Sequence, residues 1–484
     1  MPKILIIGGG VAGLSAGIYA LKAGYDAVIC EKNGVAGGNL TGWQRGGYHI
    51  DNCVHWLTGT NPLTKTYKMW KDLGALGGVG IVRPNTLYTY EKDGRTISLC
   101  RDVDILRENM LSLSPRDKKE TEAFISAVKT ARDVFVAPSA PFASLGAPKL
   151  LKYALMNTGD LAARFRDPTL QGFISSFLGE RFMALALVIV FAHFCGGNAD
   201  LPKGGSRAMA QRMADKFVSL GGALLLGKEA VKINCANGAA RSVAFADGSV
   251  EYADHFVLTT EPPVAFGSLL HVGMPKKLRD MYGDARLTRF SSVHAAFSCD
   301  VENLPFESDL VFDVPEKFSH LLGAPRVVLR GFPHEKDFSP SGKSIVQAMI
   351  FCGEDAAKKF IKISGDPKLY ARTKRYFSSV TERLIVDKFP LLRGKIFCID
   401  AWTPATYHRY FGAETGSYMS FAFSAGYIPR YVKNDVPGLK NVILASQWLK
   451  APGGLPTAAE SGKRAIETIM KKERRGDVRA ASII

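Results

Sequence analysis

Three glycines near the start of the chain have the spacing of a dinucleotide-binding turn. Gly8, Gly10 and Gly13 lie between an apolar run and a run typical of a helix. The first glycine permits a tight turn, the second lets the backbone approach a pyrophosphate, and the third lets helix and strand pack closely. Val11 and Ala12 would open the helix, whose N-terminal amides attract phosphate. We therefore predict a dinucleotide site here.

Glu31 narrows the choice of nucleotide. It is expected at the end of the second strand, followed by Lys32. A carboxylate in that place accepts hydrogen bonds from ribose hydroxyl groups and would repel a 2′-phosphate, so NADP is not expected. The glycine pair Gly37–Gly38, followed by Asn39, leaves bare backbone along the path of a long cofactor. A nicotinamide dehydrogenase would usually pass directly to its next helix, so this stretch favours FAD.

These residues need a large scaffold, and the composition agrees with one. The chain has 484 residues, 46% hydrophobic and 22% charged, so we expect two or three domains. The net charge of +17 favours an anionic surface or ligand, but the basic residues are dispersed and no recognition motif points to nucleic acid. Eight scattered cysteines favour a reduced, cytoplasmic setting, and no metal-ligand spacing occurs, so no metal is expected.

Hydrophobic periodicity predicts the elements that position the glycines. A strand at 3–7, a helix at 12–23 and a strand at 27–30 open a doubly wound sheet. Residues 34–60 read as irregular and 61–200 as mostly helical. Further predictions are short strands within 223–251, strand-like runs within 291–351, a helix at 367–388 and a last strand at 441–446. Two glycines and Pro456 then precede a helix that begins with small residues.

Six stretches, in this order, carry a resemblance to a known family: GGGVAGLSAG, EKNGVAGG, YHIDNCVHWL, PKGGSRAMAQRM, TPATYHRYFGAETGSYMSF and PGGLPTAAESGKRA. Together they resemble the flavin-dependent phytoene desaturases and retinol saturases, within the amine-oxidase-type flavoproteins. The resemblance implies an α/β fold: a doubly wound, Rossmann-like FAD-binding domain assembled from discontinuous segments, plus an α+β substrate domain with a mixed sheet and a helical subdomain. The FAD-binding parts would be 1–75, 202–262 and 400–484. The substrate domain would be 76–201 and 263–399, with 148–200 helical.

The same resemblance implies roles for residues outside the glycine turn. Residues matching Asp51 and His55 would line the flavin end of the cofactor path, and the strand holding Val231 would lie against the adenine. The segment Gly453–Leu455 would reach the flavin ring, where a helix N-terminus stabilises the negative charge of the reduced form. The chain departs from the family at Asn39, where a basic residue is common, at 52–53, where glycine is frequent, and in QWLKAPGG, where some relatives are richer in glycine.

Several side chains could shape the substrate pocket. His55 is a candidate proton donor or a structural histidine, and His408 is either structural or substrate-lining. Trp402, Tyr407 and Tyr418 are further lining candidates, and together with Tyr410 they could form the aromatic cage of an amine oxidase. Cys53 lacks a nearby partner in the sequence and is expected to be a buried small residue.

The helical stretch 148–200 combines apolar and basic residues. Its most apolar run, FMALALVIVFAHF, is shorter than a membrane span and is interrupted by His193, so it predicts a buried helix or a lipid-lined entrance. The basic residues are Lys149, Lys152, Arg164, Arg166 and Arg181. Such a patch could rest on the anionic inner face of a membrane.

Three functions remain open on the sequence alone. The first is an FAD-dependent oxidoreductase that desaturates, saturates or isomerises the carbon–carbon bonds of an apolar polyene, isoprenoid or other lipid-like substrate. The second is a flavin amine oxidase. The third is a flavin- or lipid-binding protein without turnover.

Overall fold

A computed structural model describes residues 1–136, 148–289 and 291–481. The strands in this part of the chain are β1 (Lys3–Ile7), β2 (Asp26–Glu31), β3 (Gly42–Arg45), β4 (Tyr48–Asp51), β5 (Leu57–Thr58), β6 (Ile81–Val82), β7 (Thr86–Lys92), β8 (Arg95–Cys100), β9 (Ala199–Pro202), β10 (Ala223–Leu226), β11 (Ala230–Ala236), β12 (Ala239–Phe245), β13 (Val250–Tyr252), β14 (His255–Leu258), β15 (Leu287–Arg289), β16 (Ser291–Cys299), β17 (Asp309–Asp313), β18 (Arg326–Gly331), β19 (Ser344–Cys352), β20 (Ile396–Trp402), β21 (Phe421–Phe423) and β22 (Val442–Leu444).

The α-helices in the same residues are α1 (Val11–Lys22), α2 (Lys65–Asp72), α3 (Val103–Leu113), α4 (Lys118–Phe135), α5 (Leu151–Ala154), α6 (Thr158–Ala162), α7 (Pro168–Ser176), α8 (Ala184–Cys195), α9 (Gly205–Ser219), α10 (Lys276–Tyr282), α11 (Glu316–Leu322), α12 (Glu354–Ile363), α13 (Pro367–Lys388), α14 (Pro404–Phe411) and α15 (Leu455–Ala481).

A five-stranded parallel sheet organises the first half of the fold. Its order is β10-β2-β1-β14-β22, and every neighbouring pair is parallel. β1 and β2 are apolar runs bounded by turn residues, as expected of strands covered on both faces. Strands from three distant parts of the chain therefore share one sheet, whose carboxyl edge carries the glycine turn after β1.

Helices α1 and α15 pack closely beside this sheet. The Ser15 hydroxyl donates a 2.6 Å hydrogen bond to the carbonyl of Ala459, and a Cβ on Gly462 would come within 2.3 Å of the Ala12 carbonyl oxygen. The absence of a side chain at Gly462 thus allows the first turns of the two helices to lie together. Both helix N-termini consequently reach the same edge of the sheet.

A seven-stranded mixed sheet forms the second half. Its order is β20-β16-β19-β18-β17-β7-β8; β17 and β7 are parallel and the other pairs antiparallel. Alternate residues face opposite sides. Leu310 and Phe312 pack on the face covered by α11 and α13, whereas Val311 and Val328 belong to the core shared with α3–α8. Together the two sheets confirm the predicted α/β fold class.

One local prediction was wrong and a second was incomplete. Residues 34–60 are not simply irregular, because β3 and β4 pair as a hairpin there. Within 61–200, the part before α3 is not mostly helical, because β7 and β8 lie there and form the edge of the large sheet. Asp93 and Gly94 have φ angles of 52° and 79° between these strands, the left-handed pair that a tight hairpin turn requires. The cross-strand pairing of β7 with β17 outweighed the helical periodicity on either side.

The boundaries of the two predicted domains remain predictions, although the two sheets fall largely on either side of them. β20 crosses the expected boundary at residue 400, since it pairs with β16 in the seven-stranded sheet. Within the described residues, no helix is both long enough and apolar enough to cross a bilayer. α8, the predicted buried helix, has Leu187, Val188 and Phe191 fully buried.

Candidate active site

A cavity of about 1100 Å³ runs between the carboxyl edge of the five-stranded sheet and the inner face of the seven-stranded sheet. Its volume lies just above the ~300–1,000 Å³ range typical of a single ligand site, so a cofactor and a substrate fit together more naturally than one small molecule. We call the part around the loops after β1, β2 and β14 the glycine end. The part around the seven-stranded sheet and α8 is the apolar end.

The glycine end is built from backbone that tolerates no side chain. Gly8 has a φ of +103°, and a Cβ there would lie 2.3 Å from the Thr259 hydroxyl. A Cβ on Gly13 would lie 1.9 Å from the Gly8 carbonyl oxygen. Gly37 donates from its amide to the Gly9 carbonyl at 2.8 Å, which holds the second glycine loop against the first.

Nearly all the residues predicted to contact the cofactor line this cavity. They are Gly8, Gly10, Val11, Ala12, Glu31, Lys32, Gly37, Gly38, Asn39, Gly453, Gly454 and Leu455. Gly13 does not line the cavity. It lies where α1 packs on β1, and the third glycine of such a turn allows this close packing. The structure therefore brings together residues from both ends of the sequence.

Glu31 is buried at the end of β2 and braces the turn. Its Oε2 accepts a 2.7 Å hydrogen bond from the Gly9 amide, and its Oε1 accepts bonds from the amide and the side chain of Asn33 at 2.8 and 2.7 Å. Each carboxylate oxygen can accept more than one bond. Glu31 can therefore hold the loop and still accept from a ribose hydroxyl.

The N-terminus of α15 supplies the other wall of the glycine end. Residues 452–458 line the cavity, and the Gly454 φ of +107° turns the chain into the helix. The Gly454 amide already donates to Gln447 Oε1 at 2.7 Å, so it is not free for a ligand. A Cβ on Gly453 would lie 2.1 Å from Cβ of Ser420, so this position also excludes a side chain.

Two buried polar atoms on the cavity wall have no hydrogen-bond partner in the described residues. They are Asn39 Oδ1 and Thr260 Oγ1. Buried polar atoms are normally paired, so both fit a ligand with donors and acceptors of its own. The amide nitrogen of Asn39 donates to the Tyr418 carbonyl at 2.6 Å, which holds its oxygen in place. With the bare glycine loops and two helix N-termini, this donor set fits FAD.

Two predicted contact residues lie elsewhere. Asp51 does not line the cavity; its carboxylate accepts from the amide and the hydroxyl of Ser206, each at 2.6 Å, and so caps the start of α9. The Val231 side chain is 44% exposed and also lies off the cavity, while the preceding Lys228, Glu229 and Ala230 line it. Strand β11 therefore begins at the cavity wall with Ala230, and the contact of the Val231 backbone with the adenine stays a prediction.

The apolar end has a floor of alternate residues from the large sheet. Val311 is paired with Val328 and Val328 with Met349, so the three form one cross-strand row on the cavity face. Residues of α8, among them Ile189 and Val190, cover the opposite side, with Tyr88 and Phe177 beside them. Such a chamber favours an apolar ligand and excludes water.

His55 stands in this cavity with a charged partner. Its Nδ1 lies 3.0 Å from Asp309 Oδ2, and Asp309 Oδ1 lies 3.5 Å from the Arg330 guanidinium. Because the carboxylate only accepts, Nδ1 carries the proton and Nε2 of the neutral ring is left as an acceptor. The sequence singled out His55 but missed Asp309, which is 254 positions away and has no local signal.

Trp402, Tyr407, Tyr410 and Tyr418, which could have formed the aromatic cage of an amine oxidase, do not come together on the cavity wall. Trp402 and Tyr407 are buried behind the lining: Trp402 stacks on His294 at 4.6 Å, and its indole donates to the Tyr407 hydroxyl at 3.0 Å. That hydroxyl in turn donates to Asn52 Oδ1, and burial lowers the pKa of His294 to about 3. Of the three lining candidates other than His55, only Tyr418 lines the cavity. The other two hold the loop at 52 against the sheet.

The remaining candidates separate in the same way. Tyr410 reaches the glycine end, where its carbonyl accepts from Asn33. His408 is exposed and its Nδ1 donates to the Ala413 carbonyl at 3.0 Å, so it is structural. Cys53 lines the cavity, but burial raises the pKa of its thiol to about 12, which agrees with an unreactive thiol.

Glu261 is a cavity residue that sequence reasoning missed. It is 3% exposed, follows β14, and accepts from the Glu414 amide at 2.7 Å and from the Tyr282 hydroxyl at 3.2 Å. Burial raises its pKa from 4.5 to about 7. A carboxyl group directly after a strand of a doubly wound sheet was the available signal. No cluster of three or more metal-ligating side chains occurs among the described residues.

The comparisons with known proteins agree with this site. Residues 11–470 match the family described as Flavin containing amine oxidoreductase, and the chain belongs to that family. It is 24% identical to prolycopene isomerase 1, chloroplastic, of an Oncidium hybrid cultivar, over 90% of this chain and 77% of that protein. It is 23% identical to 4,4′-diapophytoene desaturase (4,4′-diaponeurosporene-forming) of Staphylococcus aureus strain Newman, over 98% and 100%. The predicted family resemblance is confirmed.

The fold is also found in solved structures. Cyclohexylamine oxidase from Brevibacterium oxydans IH-35A superposes with a TM-score of 0.59 at 15% identity, over 98% of this chain and 99% of that one. At this identity the likeness concerns the fold alone. The family, the fold and a site whose residues fit FAD together define an FAD-dependent oxidoreductase. The alternative of a flavin-binding protein without turnover is therefore set aside.

Proposed function

We propose that this flavoprotein transfers hydride between flavin N5 and a carbon–carbon bond of an apolar polyene, isoprenoid or similar lipid-like chain. One observation carries the proposal: the cavity continues from the glycine end directly into the apolar end, so a cofactor in the first part faces the second. The carotenoid-converting relatives support the same substrate class. Desaturation, saturation and isomerisation all use this arrangement.

FAD, when bound, supplies hydride acceptance or donation at N5. The glycine loops, Glu31 and Lys32 would hold its nucleotide half. Asn39, Thr260 and the N-terminus of α15 would hold the half nearer the substrate. Asp51 and Val231 act through their elements, by capping α9 and by placing the start of β11 beside the adenine.

His55 would move the proton that accompanies the hydride. Its neutral Nε2 can take a proton and return it, while Asp309 holds the ring and stabilises the charged form. The wall of aliphatic and aromatic side chains keeps water from the reacting bond. The substrate domain is proposed to be 76–201 and 263–399, and the FAD-binding domain the remaining three segments.

The test is reduction of the bound flavin under anaerobic conditions. The holoprotein is mixed with polyenes of graded length and, in parallel, with primary and secondary amines. We expect bleaching of the flavin by a polyene, with a product two hydrogens lighter, or conversion of a polyene by the pre-reduced protein to a product two hydrogens heavier or an isomer. Mass spectrometry and chromatography distinguish these three results.

An amine oxidase would give the opposite pattern. Bleaching by amines alone, with hydrogen peroxide released on admitting oxygen, would overturn the proposal. The burial of Trp402 and Tyr407 away from the cavity argues against that outcome.

We also propose that the protein works in the cytoplasm against the inner face of an anionic membrane. Leu151 and Leu155 are 60% and 66% exposed beside Lys149 and Lys152, and Ala154 between them lines the cavity. Apolar and basic side chains around an entrance suit a lipid surface. Flotation with vesicles containing anionic lipid should carry the protein upward at low salt, and Leu151→Ser with Leu155→Ser should abolish it. Absence of flotation by the unaltered protein would contradict this assignment.

A further inference from the structure

His193 is a polar residue on an otherwise apolar wall. It lies near the end of α8, and the other residues of this helix that line the cavity are Leu185, Ala186, Ile189 and Val190. Its Nε2 has no hydrogen-bond partner among the described residues, whereas Nδ1 lies 2.9 Å from Asn198 Nδ2. A polar atom on such a wall is costly unless a ligand or water satisfies it.

The neighbouring loop fixes which nitrogen of His193 carries the proton. Asn198 Oδ1 accepts from the amides of Gly59 and Asn61 at 3.2 and 3.0 Å, so the orientation of the Asn198 amide is determined by two backbone donors. Its NH₂ group therefore points at the histidine and can only donate. Nδ1 must accept, and the proton of the neutral ring resides on Nε2.

Burial keeps this ring neutral. It lowers the pKa of His193 to about 4, so at neutral pH the side chain offers a single N–H and no charge. A neutral donor in an apolar chamber selects an acceptor oxygen and gives no advantage to a cation or to a plain hydrocarbon.

We propose that His193 binds an oxygen atom of the substrate, so that the preferred substrate is a polyene or isoprenoid bearing a carbonyl or hydroxyl group. This inference rests on the proposed function and specifies its substrate class. The hydrocarbon body lies against α8 and the floor of the sheet, and the oxygen accepts from His193 Nε2. A hydroxyl can also donate, whereas a carbonyl can only accept, and this difference separates the two chemistries experimentally.

The experiment measures binding to the holoprotein by quenching of tryptophan fluorescence, since Trp56 lines the cavity. The ligands are all-trans retinal, all-trans retinol and the retinoid hydrocarbon with a methyl group in place of the oxygen. The unaltered protein should bind both oxygenated retinoids about five- to tenfold more tightly than the hydrocarbon, the size of one hydrogen bond. His193→Phe should remove this preference, and His193→Gln, which keeps an N–H donor, should retain part of it.

Asn198→Asp tests the tautomer without altering the histidine. A carboxylate facing Nδ1 draws the proton to that nitrogen and leaves Nε2 as an acceptor. The preference for retinal should then vanish while retinol, which can donate, keeps its own. Ile189→Leu, on the same face of α8, is the matched control and should change the binding of all three ligands by the same factor.

The outcomes separate the two levels of the proposal. If the unaltered protein binds none of the three retinoids or longer polyenes, the proposed function fails and this inference with it. If it binds all three equally, or if His193→Phe weakens all three equally while flavin content is unchanged, only the assignment of His193 is overturned.

Discussion

The two ends of the cavity differ in whether backbone or side chains form their surface. At the glycine end, bare backbone from the turns after β1 and β2 and from the start of α15 forms the surface, and a Cβ at Gly8, Gly13 or Gly453 would collide with neighbouring atoms. At the apolar end, the surface is made of side chains that alternate along β17, β18 and β19. The first end is therefore intolerant of change, whereas the second can exchange side chains of similar volume without disturbing the first.

The two histidines that line the cavity also differ from each other. His55 is paired with a carboxylate and His193 with an amide, so their Nε2 atoms have opposite character, acceptor in one and donor in the other. Residue type alone does not decide what a histidine does; the atom facing its Nδ1 does.

Gly13→Val should have the largest effect. A Cβ there would lie 1.9 Å from the Gly8 carbonyl oxygen, so the glycine turn or α1 must move. We expect a protein purified without flavin, measured as loss of the flavin-to-protein absorbance ratio. Gly34→Ala is the control, because its Cβ would meet nothing within 4 Å. Full flavin content in Gly13→Val would show that the glycine end tolerates side chains, contrary to the difference drawn between the two ends.

His55→Gln should leave flavin binding intact and slow turnover. Loss of a positioned acid–base group reduces kcat by about 10²–10⁴-fold. Asp309→Asn keeps the shape but removes the carboxylate that holds the proton on Nδ1 and stabilises the charged ring, so it should reduce kcat by a comparable factor with little change in KM. The measurement is steady-state turnover of the substrate identified by flavin bleaching. Turnover within threefold of the unaltered enzyme would make His55 a structural residue.

Glu261→Gln should have the smallest effect, and only above acidic pH. The folded-state pKa of Glu261 is raised from 4.5 to about 7 by burial. Below about pH 4.5 the carboxyl is protonated in both the folded and the unfolded state; as the pH rises towards 7, the unfolded state loses the proton first and the folded state loses stability. The glutamine variant escapes this loss, so it should be more stable than the unaltered protein by about 3 kcal/mol at pH 8.

Denaturation midpoints of the holoproteins at pH 5 and pH 8 check this. The gap between the variant and the unaltered protein should widen with pH. Glu229→Gln, at an exposed position on the same end of the cavity, should show no such widening. An equal gap at both pH values would mean that Glu261 does not titrate in this range.

How much of the structure could be predicted from the sequence depends on how far apart in the chain the interacting residues lie. The glycine turn, Glu31 and the Gly37–Gly38 pair were predictable because each is a local requirement of the backbone next to a strand. The hairpin of β7 and β8 was also readable, since Asp93–Gly94 is a hairpin signal between alternating runs, but helical periodicity on both sides obscured it.

The apolar end could not be read in the same way. No sequence neighbour of His55 indicates that Asp309 is its partner. No sequence neighbour of Trp402 indicates that it stacks on His294 and turns away from the cavity. These contacts depend on strand register in the seven-stranded sheet, and a shift of one residue would reverse every side chain in it.

The contact between Ser15 and Ala459 joins residues 444 positions apart, just behind the two helix N-termini that line the cavity. On a ribosome, β1, β2 and α1 emerge long before β22 and α15. The nascent chain must therefore keep the apolar edge of its first sheet covered for most of its synthesis, and FAD can be locked in only after α15 has left the exit tunnel.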